Sequence, residues 1–159
     1  MDAHGITTRE RCAHFLAQLA HESGRFAFTR ELWGPTAAQI RYEGRKDLGN
    51  VVTGDGFRYR GRGLIQVTGR ANYRDVGRAR GLELESRPEM LEQPEIAAMA
   101  SALGWQSNGL NDLADSGNVD HVSYRINRGR VTRPVGDSNG YQERKALTEK
   151  ALRALGGDA

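Results

Sequence analysis

The sequence predicts one mostly helical domain of the α+β class, with a small irregular β element after the first two helices. Three observations carry this. Apolar residues recur at helical spacing through most of the chain. A glycine-rich stretch over 44–63 runs into Leu64-Ile65-Gln66-Val67-Thr68, which reads as a short strand. The 159 residues, taken as a single domain over 1–159, are close to the ~100–150 that one core commonly serves.

The first helix is expected from Thr7. Thr7 with Glu10 has capping-box form, in which hydroxyl and carboxylate satisfy each other's backbone donors. Cys12, Phe15, Leu16, Leu19 and Ala20 follow as one apolar stripe, and Ser23-Gly24 supplies the stop. A second helix is expected from Pro35 or Thr36 to about Glu43, since proline suits a first turn. Beyond the glycine-rich stretch, helical patterns resume over 70–80, 93–107 and 118–126. A last helix is expected over Ser138 to Leu155, with Ala146, Leu147, Ala151, Leu152 and Leu155 on its apolar side.

Composition narrows the function classes. Hydrophobic residues make up 38% and charged residues 27%, a globular balance. No apolar run approaches the ~18 residues of a membrane span, so no membrane insertion is expected. A lone Cys12 excludes an intrachain disulfide and reads as core. Met1-Asp2-Ala3-His4 has neither a basic start nor an apolar stretch, so synthesis in the cytoplasm is expected. The net charge is +3, yet residues 83–95 hold five glutamates against Arg87. Lys46, Lys145 and Lys150 are the only lysines, which leaves a strongly Arg-rich remainder. Such a body favours anionic partners: nucleic acid, a membrane surface or an anionic wall polymer. A plain solvated surface is the competing reading.

Glu22 continues the apolar stripe at the last turn of the first helix, three residues after Leu19. Partial desolvation, the negative helix end and any second carboxylate nearby would each favour its protonated form, as a general acid requires. Glu31 lies nine residues on, past a turn. If the chain doubles back at Gly24, two carboxylates in different surroundings can flank one cleft, the arrangement of glycoside hydrolysis. Arg30 would keep Glu31 ionised; the alternatives are a Glu22–Arg25 pair and a surface Arg30–Glu31 pair. A third constellation is Tyr59-Arg60-Gly61-Arg62-Gly63-Leu64-Ile65-Gln66-Val67-Thr68, continuing to Asn72-Tyr73. Its glycines allow close backbone approach, and alternating Gln66 and Thr68 would line a groove with amide and hydroxyl groups.

Together, Ala20-His21-Glu22-Ser23-Gly24, Glu31, the Tyr59–Thr68 element and Asn72-Tyr73 resemble the family 19 glycoside hydrolases. These are the plant-type chitinases and, more closely, the phage endolysins built on that fold. The resemblance runs on through Gly104-Trp105, Asn108-Gly109-Leu110-Asn111, Ile126-Asn127 and the Arg144 helix, covering about residues 5–155. It implies a lysozyme-like fold, with Glu22 as general acid, Glu31 as general base and Thr68 holding the attacking water. It also implies sugar contacts from Gln66 and Asn72, a cleft aromatic at Tyr59, a substrate-contacting Asn127 and Arg144 near the acid pair. His21 could orient Glu22 and border the substrate. The implied reaction is direct displacement with inversion, without metal or other cofactor. Physically this wants the two carboxyls ~6.5–9.5 Å apart, with room for a water.

Two positions depart from the family pattern. Arg128 stands in Ile126-Asn127-Arg128-Gly129 where glycine is usual, and Arg25 follows Ser23-Gly24 where glycine is common. Both would favour an anionic substrate. Relatives also tend to carry a helix ahead of His4-Gly5-Ile6, so an early-starting or truncated chain is expected. The partner expected is therefore the glycan of bacterial peptidoglycan, with chitin as the alternative, in a monomeric enzyme released to the wall through a holin-type pore. No nucleic acid is expected.

The other candidates rank below this. His14 and His21 sit seven apart on one helix face with Gln18 between, and Glu22 is the one carboxylate nearby, too few ligands for a metal site. Trp105 reads as core, and Trp33 as core or sugar platform. A non-catalytic Arg-rich binding module is the alternative of a different class, on clusters Arg58, Arg60, Arg62 and Arg125, Arg128, Arg130, Arg133. Against nucleic acid, base-stacking aromatics are not interleaved with them.

Overall fold

The computed structural model describes residues 1–128 and 138–156, without the side chain of Arg128. Of the second arginine cluster, Arg130 and Arg133 thus lie outside the described residues, as does Gly129. The chain forms two compact units, one from Met1–Arg25 with Ala102–Ala159 and the other from Phe26–Ser101. Its helices are α1 (Arg9–Glu22), α2 (Ala37–Ile40), α3 (Asp55–Arg58), α4 (Arg70–Arg80), α5 (Pro94–Ser107), α6 (Leu110–Asp115), α7 (Val119–Arg128) and α8 (Tyr141–Ala154). The expected α4, α5 and α7 thus form within two residues of their sequence bounds. The short α3 and α6 were not signalled by a long apolar period.

In the first unit α1 is the central element, packed by α6, α7 and α8. Its cap is Thr8, one residue later than expected, whose Oγ1 accepts from the Arg11 N–H at 3.2 Å. The entering chain is pinned by buried Ile6 and by the Arg11 guanidinium on the Gly5 carbonyl (2.8 Å), which puts the extended residue at Thr8. Ala13, His14, Phe15, Ala17, Gln18, Leu19 and Ala20 are all buried, a wider face than one apolar stripe; Cys12 and Leu16 are half-buried. Trp105 is core: its ring meets Phe15 edge-on at 5.3 Å and its Nε1 donates to Asn111 Oδ1 at 2.9 Å. α8 corrects the expected apolar side. Arg144 and Thr148 are its buried residues, while Ala146 and Leu155 are exposed. A polar network, described below, outweighs the apolar period there.

The second unit packs around Tyr59, Tyr73, Leu84, Leu91 and Ala100. α2 is shorter than expected, because the capping box of Thr36 and Gln39 closes one turn and the amide of Gln39 is then committed to the Leu32 carbonyl (2.7 Å). The expected strand Leu64–Thr68 does not form. Arg62 and Val67 exchange both backbone hydrogen bonds (3.1 and 2.8 Å), so 63–66 become the connecting loop between paired residues. Leu64 is buried and the Ile65 N–H is taken by Ser101 Oγ at 3.3 Å, which leaves the loop no strand ladder to join. Thr29–Glu31 runs beside Arg62: Gly63 N–H donates to Thr29 O and Glu31 N–H to Gly61 O, each at 2.8 Å. The β element is thus two isolated bridges, Arg30–Arg62 and Arg62–Val67.

Candidate active site

Glu22 closes α1 in the first unit. Ser23 Oγ donates back to Leu19 O at 2.6 Å, and Gly24, Arg25 and Phe26 all take left-handed φ (60°, 61° and 67°). Two consecutive non-glycine residues in that region are costly, of order 1–3 kcal/mol each, so the turn after α1 is held under constraint. The Glu22 carboxylate accepts from Arg144 Nη2 at 2.5 Å. Arg144 is wholly buried; its Nε donates to Asn139 O (2.9 Å), its Nη1 to Gln18 Oε1, and Nη2 also reaches Asn127 Oδ1 (3.5 Å). Gln18 is itself held by Ser123 Oγ at 3.3 Å, and Asn127 by the Ser123 carbonyl at 2.9 Å. Expectations of desolvation at Glu22 therefore meet an opposing contact, a guanidinium that pairs with the carboxylate. Sequence reasoning missed Gln18, a polar residue inside an apolar helix that is fully buried.

Around this group, His21 Nδ1 pairs with Glu143 Oε2 at 2.8 Å, and Arg25 approaches the same carboxylate at 3.9 Å. So Arg25 turns to Glu143 where a Glu22 pair had been the alternative, and the hydrogen bond of His21 is with Glu143. Gly140, with φ +70°, packs directly against the His21 ring, where a Cβ would overlap it. His14 is buried and its Nδ1 has no partner among the described residues; burial pushes its pKa down, against a smaller opposing effect of Glu10.

Glu31 belongs to the second unit and is half-buried. Its Oε2 accepts from the Gly61 N–H at 3.2 Å and its Oε1 from the Tyr42 hydroxyl at 3.4 Å. Burial first, and then the Glu31 charge, raise the Tyr42 pKa. Arg30 does not serve Glu31; it reaches Glu92 at 3.5 Å. Gly61 packs closely on Gln66: a Cβ there would sit 2.5 Å from Gln66 Oε1. Gln66 is exposed, Thr68 half-buried, and Asn72 exposed with its amide on Thr68 O at 2.7 Å. Trp33 is half-buried beside Phe57 (5.3 Å, edge-on) and Tyr42 (6.3 Å).

Tyr59, expected as a cleft aromatic, borders a cavity of the second unit while its side chain is built into the core. It is 1% exposed, packs edge-on against Tyr73 and donates its hydroxyl to Glu85 O at 2.9 Å. The motif arginine Arg62 is likewise structural, 5% exposed, bonded to Glu92 (2.8 Å), Tyr73 (3.0 Å) and Arg58 O (2.8 Å). Both are buried with their polar groups satisfied, the hydroxyl by a carbonyl and the guanidinium by Glu92, Tyr73 and Arg58 O. Among the described residues no cluster of three or more His, Cys, Asp or Glu side chains could hold a metal ion, and no helix is long and apolar enough to cross a membrane.

Comparison with known proteins gives the class. A glycosyl hydrolase family 19 domain-containing protein of Haemophilus influenzae is 29% identical over 90% of this chain and 79% of that protein. An Arabidopsis thaliana endochitinase is 32% identical over 79% of this chain, which spans 42% of its length. Two solved structures share the fold. A bacterial family 19 chitinase superposes with TM-score 0.71 at 22% identity, over 94% of this chain and 76% of that one. A class IV chitinase from Zea mays gives 0.68 at 22% identity, over 99% and 73%. No family model matches the chain. Relatives and fold together indicate a glycoside hydrolase. Within that class they are of family 19, and the fold is the chitinase-like, lysozyme-like one.

Proposed function

We propose that the chain hydrolyses β-1,4 links between N-acetylated amino sugars of bacterial peptidoglycan, as an endolysin-type enzyme. The observation that carries the chemistry is that its two candidate carboxylates are held in unlike ways. Glu31 is cradled by one backbone N–H and one tyrosine hydroxyl, neutral donors that leave an oxygen lone pair able to take a proton from water. Glu22 is addressed by a guanidinium whose other groups are locked by Gln18 and Asn139.

In this reading Glu22 delivers a proton to the leaving oxygen, Glu31 takes one from the attacking water, and Thr68 helps hold that water. The anomeric carbon inverts, because water replaces the leaving group in one displacement. Gln66 and Asn72, exposed on the second unit, and Asn127, exposed on the first, are the proposed sugar contacts. Arg144 positions the acid, with His21 and Glu143 beside it. Peptidoglycan is favoured over chitin by the arginine-rich body, since its stem peptides carry carboxylates and chitin carries none. Acting from within a host, such an enzyme reaches the wall through a holin-type pore.

The test is release of reducing ends from purified peptidoglycan and from soluble chitin oligomers, side by side, with Glu22→Gln as control. Peptidoglycan cleavage lost in the variant is the expected result. Cleavage of chitin alone moves the substrate to chitin. Silence on both substrates overturns the reading.

A further inference from the structure

A cavity of the second unit lies outside the proposed catalytic residues. It measures about 860 Å³ and is lined by Phe57, Arg58, Arg60, Arg62, Arg70 and Glu83, among others. That volume is within the ~300–1,000 Å³ typical of small-ligand sites. Four arginines converge on it, and they are not equivalent. Arg70 is neutralised by Asp55 (2.5 Å) and Glu85 (3.1 Å), and Arg62 by Glu92 (2.8 Å). Arg58 and Arg60 form no ion pair among the described residues. Arg58 donates to Tyr59 Oη (3.2 Å) and the Ser86 carbonyl (2.8 Å), and Arg60 to the Phe57 carbonyl (3.0 Å) while stacking 4.2 Å over the Phe57 ring.

Most N–H groups of these two guanidinia are therefore open to a ligand, in the fork geometry that suits carboxylates. Arg60 is also half-buried, and burial first, then the charges of Arg62 and Arg30, push its pKa down. An arriving anion would relieve that cost. The wall is not uniformly cationic, however. Glu83 lines the same cavity, its carboxylate bonded among the described residues by Ser86 Oγ alone at 3.4 Å, so a polyanion would meet repulsion where a ligand ammonium would not. Phe57, half-exposed, offers an apolar face beside the cations. Mixed charge plus a small apolar patch describes a short peptide carrying both carboxylates and an amine.

We propose that this pocket binds the carboxylate-bearing stem peptide of peptidoglycan, with Arg58 and Arg60 as its carboxylate receptors; the proposal rests on the substrate reading above. It gives a physical basis for choosing wall glycan over chitin, because the neutral chitin chain has nothing to place there. The pocket is coupled to the proposed base by the chain itself. Arg60 precedes Gly61, whose N–H holds Glu31, and Phe57 abuts Trp33, two residues past Glu31.

The experiment is titration of the full chain with four probes: a free stem pentapeptide, the same peptide with amidated carboxyls, tetra-N-acetylchitotetraose and inorganic phosphate. Calorimetry is combined with NMR shift mapping. The stem peptide should bind, shifting resonances of 52–60 and 83–88, and amidation should weaken it at least about tenfold. Raising salt from about 50 to about 300 mM should weaken it several-fold, as screening requires. Arg58→Ala with Arg60→Ala should weaken it by about tenfold or more, as loss of two charge-assisted receptors implies. If that variant melts early, the amidation and salt arms on the unaltered chain decide.

No binding of the stem peptide, shifts elsewhere, or equal binding of the amidated peptide overturns the proposal. Phosphate binding more tightly than the peptide reassigns the pocket to phosphate and overturns it too. If peptidoglycan is cut but the stem peptide does not bind, the pocket assignment fails alone. If the peptide binds but only chitin is cut, the substrate reading fails and the pocket stands.

Discussion

Arg144 Nη2 lies 2.5 Å from Glu22 Oε1, and Arg144 has no exposure to solvent while Glu22 keeps a quarter of its side-chain surface. The pair joins α8 to the end of α1, and its cation is buried, fixed and bonded on three sides. Removing one partner from such a pair leaves the other unbalanced.

Arg144→Met should therefore cost about 3 kcal/mol of stability, because Gln18 Oε1 and Glu22 lose their donor together. Urea unfolding measures this. Adding Glu22→Gln to Arg144→Met should cost less than the sum of the two single changes, the sign of direct coupling. Simple additivity would show that the contact contributes nothing.

Tyr42→Phe removes one of the two donors on Glu31 and leaves the Gly61 N–H in place. The hydrogen bond is long at 3.4 Å, so stability should change by about 1 kcal/mol or less. The turnover number should fall about two- to tenfold with KM little changed, if the hydroxyl orients the proposed base. A change confined to KM would make Tyr42 a substrate contact.

Gly61→Ala places a methyl against the Gln66 side chain, whose Oε1, Cδ and Cβ lie 2.5, 3.0 and 3.1 Å from the added carbon. The amide must therefore turn and the Cβ give by a few tenths of an ångström. Gln66 is exposed and its amide can swing away. The melting temperature should thus hold within a few degrees, equivalent to about 1 kcal/mol or less, while KM for glycan rises as the proposed sugar contact is displaced. Early unfolding would show that Gln66 is locked.

His14 gives a pH signature. Its folded pKa is depressed by burial, so between the unfolded value near ~6.5 and the lower folded value, the unfolded chain binds a proton that the folded chain refuses. Stability then falls as pH drops below about 6.5. His14→Leu removes both this titration and a buried nitrogen that has no partner among the described residues. Thermal melts at about pH 7.5 and pH 5.5 should show a smaller acid loss in the variant than in the parent. An equal loss would assign the acid limb to other groups.

Local sequence chemistry was sufficient for the helices that rest on periodicity and caps. α4, α5 and α7 lie where their apolar patterns put them, and Gly24 turns left-handed where a stop was expected. The chemistry-bearing residue types were legible too, because Glu22 at a helix end and the Arg-Gly-Arg-Gly element are short-range patterns. Tertiary structure decided what those patterns could not contain. It buried Tyr59, replaced a strand by the Arg62–Val67 pair, and moved the first cap to Thr8. It also chose the partners: Arg144 for both Glu22 and Gln18, Tyr42 and Gly61 for Glu31, and Glu143 for Arg25 and His21. Periodicity reports which face of an element is apolar. Which buried polar group meets which, among residues over a hundred positions apart, depends on packing, because each must find a donor or acceptor once water is gone.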